Sequence, residues 1–299
     1  MAIQFASEID TKLDYISTGI PAIDKIMGGG FARGKITLLS GQPSVGKSTV
    51  AYGGIAEAQK DGLGTLLYDV EYAHDAEYSQ NIGIDLRKLA VLREQYAEEG
   101  LEAVLDAIKS GKYQMIVIDS VGALHSRVQE EKSIGEKTIG AQASLTAQFI
   151  RKAVPMLSIH NVALVCITHE FTDIMTGKVM ASGGAKLMYH TSVHARLKQK
   201  FGVVLKQGDQ KIGKVIVMEM KKNKLSSTES KEADAHFLYQ EGFSKTADLL
   251  ESALDKGVIT KTGNSYFFNG EKLGMISKVR LLFKDETFVQ KLKDELSHH

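Results

Sequence analysis

Cysteine occurs once in 299 residues, as Cys166 inside the apolar run 162–167. A lone thiol excludes an intramolecular disulfide and fits a reducing cytoplasm. No stretch reaches the roughly 18 consecutive apolar residues of a membrane span. The N-terminus carries acids where a secretory leader would be apolar. Neither sign of charge is in excess: 37 Lys and Arg face 36 Asp and Glu, a formal net charge of +1. The global balance therefore argues neither for nor against nucleic acid, and any DNA surface has to come from local clusters. Internal repeats and low-complexity segments are absent too. What is left is an ordinary globular composition, 43% hydrophobic and 24% charged, at a length that suits one large domain or one large and one small.

One stretch organises the rest. Residues 36–39 form a short apolar run that reads as a buried strand, and a helical pattern begins near Lys47. Between them Gly41, Gln42, Pro43, Ser44, Val45, Gly46, Lys47 and Ser48, followed by Thr49, fit the pattern G-x-x-x-x-G-K-[ST]. Gly41 and Gly46 allow backbone conformations and close approaches that a Cβ would block. The loop amides and the helix N-terminus then face a chain of phosphates. Lys47 is placed to reach the β- and γ-phosphates, and the Ser48 hydroxyl to ligate Mg²⁺.

Strands and helices alternate after this loop. Residues 65–71 read as a strand carrying Asp69 and Glu71 at its end, followed by a helix near 76–82, a strand near 89–92 and a helix over 101–109. Residues 115–119 are a short apolar strand ending in Asp119, the form of a Walker B motif. This alternation predicts an α/β fold with a mostly parallel sheet covered by helices on both faces. Gly41, Glu71 and Asp119 then fall at the carboxyl ends of strands, where such sheets bind ligands. Two irregular stretches follow, 128–137 and 170–184, separated by a long helix (140–160) and a strand (163–168). Loops of that length in a compact domain are usually functional or disordered. Residues 193–201 and 214–222 read as strands of a hairpin around Gly208, and the pair Gly53-Gly54 marks a close-packing site in the first long helix. The expected divisions are 1–15 (a short strand, Ile3 to Phe5, and a linker), 16–232 (the core) and 233–299 (a small α/β domain). That last domain should hold a helix (246–256), a strand pair (257–268) and a helix (286–296), with His298-His299 read as a tag stub.

Taken together, these residues resemble the RecA family of strand-exchange recombinases over about 15–280. The resemblance rests on Ser17-Thr18-Gly19, the loop 41–49, Asp69-Val70-Glu71, Ile118-Asp119-Ser120-Val121, Ser182-Gly183-Gly184 and Lys222-Asn223-Lys224. Other P-loop ATPases share the second and fourth of these, while Gly183-Gly184 and Lys222-Asn223-Lys224 are more specific. The chain lacks the N-terminal helical domain and acidic tail of bacterial RecA, and so resembles a compact, bacteriophage-type recombinase.

The resemblance implies a RecA-like P-loop ATPase core using ATP and Mg²⁺. Glu71 would activate the attacking water and Asp119 would hold the Mg²⁺ hydration shell, with Asp75 and Tyr78 on the adenine. His169 would sense the γ-phosphate, and Lys222 and Lys224 would reach the ATP site of the next protomer. The two irregular stretches would be DNA loops, with Ile139 and Ile174 inserted between stacked bases. Arg151 and the Gly183-Gly184 amides would hold phosphate, with Lys178 adding charge. The segment from Ile3 to Phe5 matches a subunit-linking strand. This chain departs from the bacterial pattern at Ser144, which replaces an arginine, and at Phe171 and Asp173, which replace basic residues; Glu170 adds an acid.

The implied activity is that of a DNA-dependent ATPase and homologous recombinase. It would form a helical homo-oligomer on single-stranded DNA and exchange strands with double-stranded DNA. Its place would be the cytoplasm of a bacterium or of a bacteriophage-infected cell, away from membranes. Two other readings remain open. A RecA-fold hexameric helicase or translocase would need a closed ring and an arginine finger, against which Lys222-Asn223-Lys224 argues. A DNA-binding regulatory module without ATP turnover is opposed by Glu71 and Asp119.

Overall fold

The structure, a computed structural model, describes residues 12–130, 141–172, 179–181, 185–207, 210–226, 231–239, 241–283 and 285–298. The expected linking strand from Ile3 to Phe5 lies outside the described residues, as do Ile139, Ile174, Lys178, Gly183 and Gly184. Two compact units divide the chain, Met1–Gly242 and Phe243–His299.

In the first unit β1 (Tyr15–Ile16) and β2 (Phe31–Ala32) pair antiparallel on either side of α1 (Pro21–Met27). Pro21 opens α1, and Gly28 at φ +86° closes it in the left-handed conformation that glycine adopts without strain. Then β3 (Ile36–Gly41), α2 (Lys47–Lys60), β4 (Thr65–Asp69), α3 (Ala76–Ile82), β5 (Leu89–Leu92), α4 (Ala97–Lys109) and β6 (Met115–Asp119) alternate. A 3-10 turn (Val121–Ala123) and α5 (Arg127–Glu130) lead to α6 (Ala141–His160) and β7 (Ala163–Thr172). The unit continues through β8 (Val179–Ala181), α7 (Ala185–His190), β9 (Val193–Gln207), β10 (Gln210–Asn223) and β11 (Glu232–Leu238).

The main sheet runs β11–β10–β9–β3–β7–β6–β4–β5. From β9 to β5 neighbouring strands are parallel, and β9, β10 and β11 form an antiparallel wing. Every residue of β3 and β4 is buried because helices cover both faces. On one face Leu38, Tyr68, Ile118 and Cys166 pack against Leu101, Val104 and Leu105 of α4 and Phe149, Ile150 and Leu157 of α6. On the other, α2 packs against β3, β4, β6 and β7. The glycine pair in α2 lets the segment around α1 and β2 approach that helix closely. A Cβ at Gly53 would stand 2.4 Å from the Thr18 carbonyl oxygen, and one at Gly54 would stand 2.5 Å from the Phe31 ring.

Two of the departures from the sequence reading concern the strands near 170 and 233. The stretch 170–184, expected to be irregular, contains paired strands: β7 runs on to Thr172 and pairs antiparallel with β8 through Glu170↔Ala181, Phe171↔Met180 and Thr172↔Val179. The acid that reads as a loop residue, Glu170, is neutralised there by Arg196. The change of character near 233 is the start of β11, which pairs with β10 from Glu219↔Glu232 to Gly213↔Leu238. Its polar positions Glu232, Asp234 and His236 alternate with Ala233, Ala235 and Phe237 as a strand requires, so the unit extends to Gly242.

The division falls within β12 (Gly242–Phe243). The second unit comprises α8 (Lys245–Asp255), β13 (Ile259–Thr262), β14 (Ser265–Phe268), β15 (Glu271–Gly274), α9 (Ile276–Leu282) and α10 (Glu286–His298). Ser244 caps α8 by accepting from the Ala247 amide. The three strands form an antiparallel sheet, and Leu250, Ala253, Ile259, Tyr266, Val279, Phe283 and Leu292 share one core. Among the described residues, no helix is long and apolar enough to cross a membrane.

Candidate nucleotide-binding and catalytic site

The parallel strands β3, β4, β6 and β7 deliver their carboxyl ends to one rim, where Gly41 is in register with His169 and Asp69 with Asp119. The loop from β3 into α2 needs its glycines: Gly41 has φ +152° and Gly46 φ +100°, and a Cβ on Gly41 would meet the Leu197 carbonyl at 2.4 Å. Gln42, Pro43 and Ser44 are exposed, while Val45 turns into the core. Lys47, the first residue of α2, is buried, and its Nζ donates to the carbonyls of Gly41 (3.0 Å) and Gln42 (2.8 Å). Burial lowers the lysine's pKa, against the opposing pull of the Asp119, Glu71 and Glu170 carboxylates.

Lys47, His169 and Glu71 form a row. The ammonium lies 3.3 Å from His169 Nδ1, which must accept because Nζ has only protons to offer. The other ring nitrogen therefore carries the hydrogen and donates to Glu71 Oε1 at 3.0 Å. Ser120 Oγ donates to the same carboxylate oxygen at 2.5 Å. Glu71 does not continue β4; it stands on a turn closed by buried Asp69. That carboxylate accepts from the amides of Ala73 (2.9 Å) and His74 (3.3 Å) and from Arg93 Nε (2.9 Å).

Ser48 Oγ donates to Asp119 Oδ2 at 2.6 Å. Burial raises the Asp119 pKa, opposed first by the Ser48 hydrogen bond. A hydroxyl and a carboxylate are hard oxygen donors. Among the described residues no group of three His, Cys, Asp or Glu side chains gathers to make an all-protein metal cage. This donor set fits Mg²⁺, which binds through one or two protein oxygens together with phosphates and water. Bound there, the ion would draw charge from the transferring phosphoryl group.

A cleft of about 320 Å³ extends from this row to Tyr52, Asp75, Tyr78 and Phe237. Asp75 caps α3 by accepting from the Tyr78 amide at 3.0 Å, and the Tyr78 hydroxyl lies 2.8 Å from Thr49 Oγ1. Of the expected nucleotide and catalytic residues, the cleft brings together Ser44, Gly46, Lys47, Ser48, Thr49, Glu71, Asp75, Tyr78, Asp119 and His169. Lys222, Lys224 and Arg151 do not line it. Lys222 Nζ instead donates to the carbonyls of Met188 and Tyr189, each at 2.9 Å, at the end of α7. Arg151 is exposed on α6. The sequence reading missed Tyr52, Phe237 and Lys214, whose Nζ donates to the Ser44 carbonyl at 2.7 Å. Tyr52 lies in the helix that the phosphate-loop pattern opens, a signal that could have found it. The other two arrive from β10 and β11 by sheet pairing, which leaves no local motif.

A family model described as the RecA N-terminal domain matches residues 2–244. Protein RecA of Chlorobaculum parvum is 34% identical over 289 residues, spanning 94% of this chain and 82% of that protein. Protein RecA of Staphylococcus aureus is 31% identical over 304 residues, spanning 98% of this chain and 87% of its own length.

Proposed function

The chain belongs to the RecA family, and from that premise we propose that it assembles as a helical filament on single-stranded DNA and pairs that strand with homologous duplex. It is a recombinase and a DNA-dependent ATPase that uses ATP with Mg²⁺. Family membership also carries DNA binding and self-association. In the proposed reaction single-stranded and double-stranded DNA are the two substrates, a filament is the working form, and the cytoplasm of a bacterial or bacteriophage-infected cell is the setting.

The observation that carries the catalytic part is the Lys47–His169–Glu71 row beside the Ser48–Asp119 pair. Lys47 neutralises charge on the β- and γ-phosphates. Ser48 and Asp119 hold the Mg²⁺ shell, and Glu71 takes the proton of the attacking water. His169 sits between the lysine and the base, where contact with the γ-phosphate competes with its bond to Glu71. Asp75 and Tyr78 shape the base end of the cleft. Lys222 and Lys224 act on the site of a neighbouring protomer. Arg151 and the Gly183-Gly184 amides hold DNA phosphate, Lys178 adds charge, and Ile139 and Ile174 insert between stacked bases.

Glu71→Gln is the test. General-base removal should lower turnover at least about 100-fold while ATP affinity stays within about threefold, and it should lengthen the life of DNA complexes. Parental turnover in this variant would remove Glu71 from its role. Negative-stain microscopy of the same protein with ATP and single-stranded DNA separates a filament from a closed ring or isolated particles.

A further inference from the structure

A second polar cluster lies next to the row just described, and the hydrolytic mechanism makes no use of it. Successive side chains of β7 point to opposite faces of the sheet, so Glu170 turns away from the cleft into which His169 points. The Glu170 side chain is only 7% exposed. Its Oε1 accepts from Ser40 Oγ at 2.8 Å, and its Oε2 accepts from Arg196 Nε at 2.8 Å. Ser40 also lies 2.8 Å from His194 Nε2. Ser40 has one proton and gives it to the carboxylate, so His194 Nε2 must carry a hydrogen and donate to Ser40. Burial lowers the His194 pKa. Of its charged neighbours, Glu170 opposes that shift, while Lys221, Lys222 and Arg196 add to it. The bonding fits a neutral imidazole protonated on Nε2.

A buried carboxylate at a strand end is costly unless its oxygens are paired, and an apolar residue would fill the same space without that cost. What the ionic cluster adds is geometry. Strands β7 and β9 are the two neighbours of β3, and Glu170–Arg196 joins them across Ser40, the residue before Gly41. The cluster thus ties the base of the phosphate loop to the last turn-out of β7, one residue from His169. On this basis we propose that Glu170, held by Arg196, is a positioning residue for ATP hydrolysis. It fixes the end of β7 so that His169 keeps its place between Lys47 and Glu71. The His169 contacts, 3.3 Å to Lys47 and 3.0 Å to Glu71, leave little room for movement. A displacement of about 1 Å in such a site can cost on the order of 100-fold in rate.

The proposal rests on the reading of Lys47, His169 and Glu71 as the hydrolytic row, so Glu71→Gln is assayed beside it in the full chain. Glu170→Leu with Arg196→Met replaces the ion pair by apolar side chains and leaves no unpaired charge; Glu170→Gln keeps an oxygen acceptor. Circular dichroism melts, affinity for a fluorescent ADP analogue and DNA-stimulated kcat and KM are measured for each. The apolar pair should melt no lower than the parent and bind ADP within about twofold, yet lose about 10- to 100-fold in kcat. Glu170→Gln keeps an acceptor for Arg196 and can turn its NH₂ to the Ser40 oxygen, so it should lose less kcat than the apolar pair. Combined with His169→Ala, the apolar pair should cost no more than about a further twofold, because its effect runs through that imidazole. Parental kcat in the apolar pair overturns the proposal while Glu71→Gln stays inactive. An equal fall of ADP affinity and kcat, or full additivity with His169→Ala, overturns it as well. Parental turnover by Glu71→Gln instead removes the reading beneath it.

Discussion

Asp69 is acidic, buried and saturated with donors, although no phosphate or metal role falls to it. Its carboxylate takes the Ala73 and His74 amides on one side and Arg93 on the other, and so closes the turn on which Glu71 stands. Tyr72 in that turn has φ +54°, a left-handed conformation uncommon for a side chain of its size, and its ring lies 5.8 Å from the Arg93 guanidinium. The turn is therefore held from outside rather than by its own preference. Asp69→Asn places an NH₂ among groups that all donate and leaves at least one of them unmatched, at about 1–3 kcal/mol. The expected result is a kcat at least about tenfold lower with ADP affinity nearly unchanged, because the phosphate loop is untouched. Arg93→Ala, at a side chain 46% exposed, should be milder and cost about 1 kcal/mol or less. Steady-state kinetics and thermal melts on the two variants check the order. A kcat for Asp69→Asn equal to the parent's would mean that the turn holds Glu71 without this lock.

At the scale of elements, α2 shows how a residue poor for a helix can be required by packing. Glycine costs about 1 kcal/mol relative to alanine in a helix interior, so Gly53→Ala would stabilise an isolated α2. In the fold the new Cβ meets the Thr18 carbonyl oxygen at 2.4 Å, a backbone atom that cannot swing aside. Overpacking costs about 1–3 kcal/mol and outweighs the propensity gain. Gly53→Ala should lower Tm by about 2–6 °C, read by circular dichroism. A rise in Tm would show that the segment between β1 and α1, which carries Thr18, gives way freely. The same contest between local preference and packing explains what was legible beforehand. The strands β3, β4 and β6 were legible because burial on both faces writes them as short, largely apolar runs. The start of α4 at Ala97 rather than 101 was not. Gly100 weakens the helical pattern there, yet a Cβ at Gly100 would lie 2.0 Å from the Tyr68 hydroxyl. The end of β7 was hidden for a related reason: Glu170 reads as a loop acid until Arg196 neutralises it. In the site, Lys47, Ser48, Glu71 and Asp119 were visible through spacing and strand ends. The tautomer of His169, the Asp69 lock and the arrival of Phe237 depend on atoms brought together by the fold.

At the scale of the whole molecule, Lys222 and Lys224 have the sequence signature of the family and no place in their own chain's cleft. Burial lowers the Lys222 pKa, with Lys224 adding to the shift, and the ammonium rests on the carbonyls at the end of α7. Cations that serve catalysis from this position have to do so on a neighbour. In a head-to-tail assembly every joint then pairs one protomer's phosphate loop with the next protomer's lysines. Lys47→Ala alone should lose hydrolysis because the loop is broken at every joint. Lys222→Ala with Lys224→Ala should lose at least about tenfold of DNA-stimulated hydrolysis because every joint lacks its cations. In an equal, random mixture about a quarter of the joints combine an intact loop with intact lysines, so activity should return to about that fraction of the parental rate. ATPase assays across a series of mixing ratios should trace a maximum near equal amounts, with light scattering confirming that the two variants enter one assembly. A flat profile in mixtures that demonstrably co-assemble would place the lysines outside the neighbour's site. A linear profile would mean that each chain hydrolyses ATP with its own residues alone.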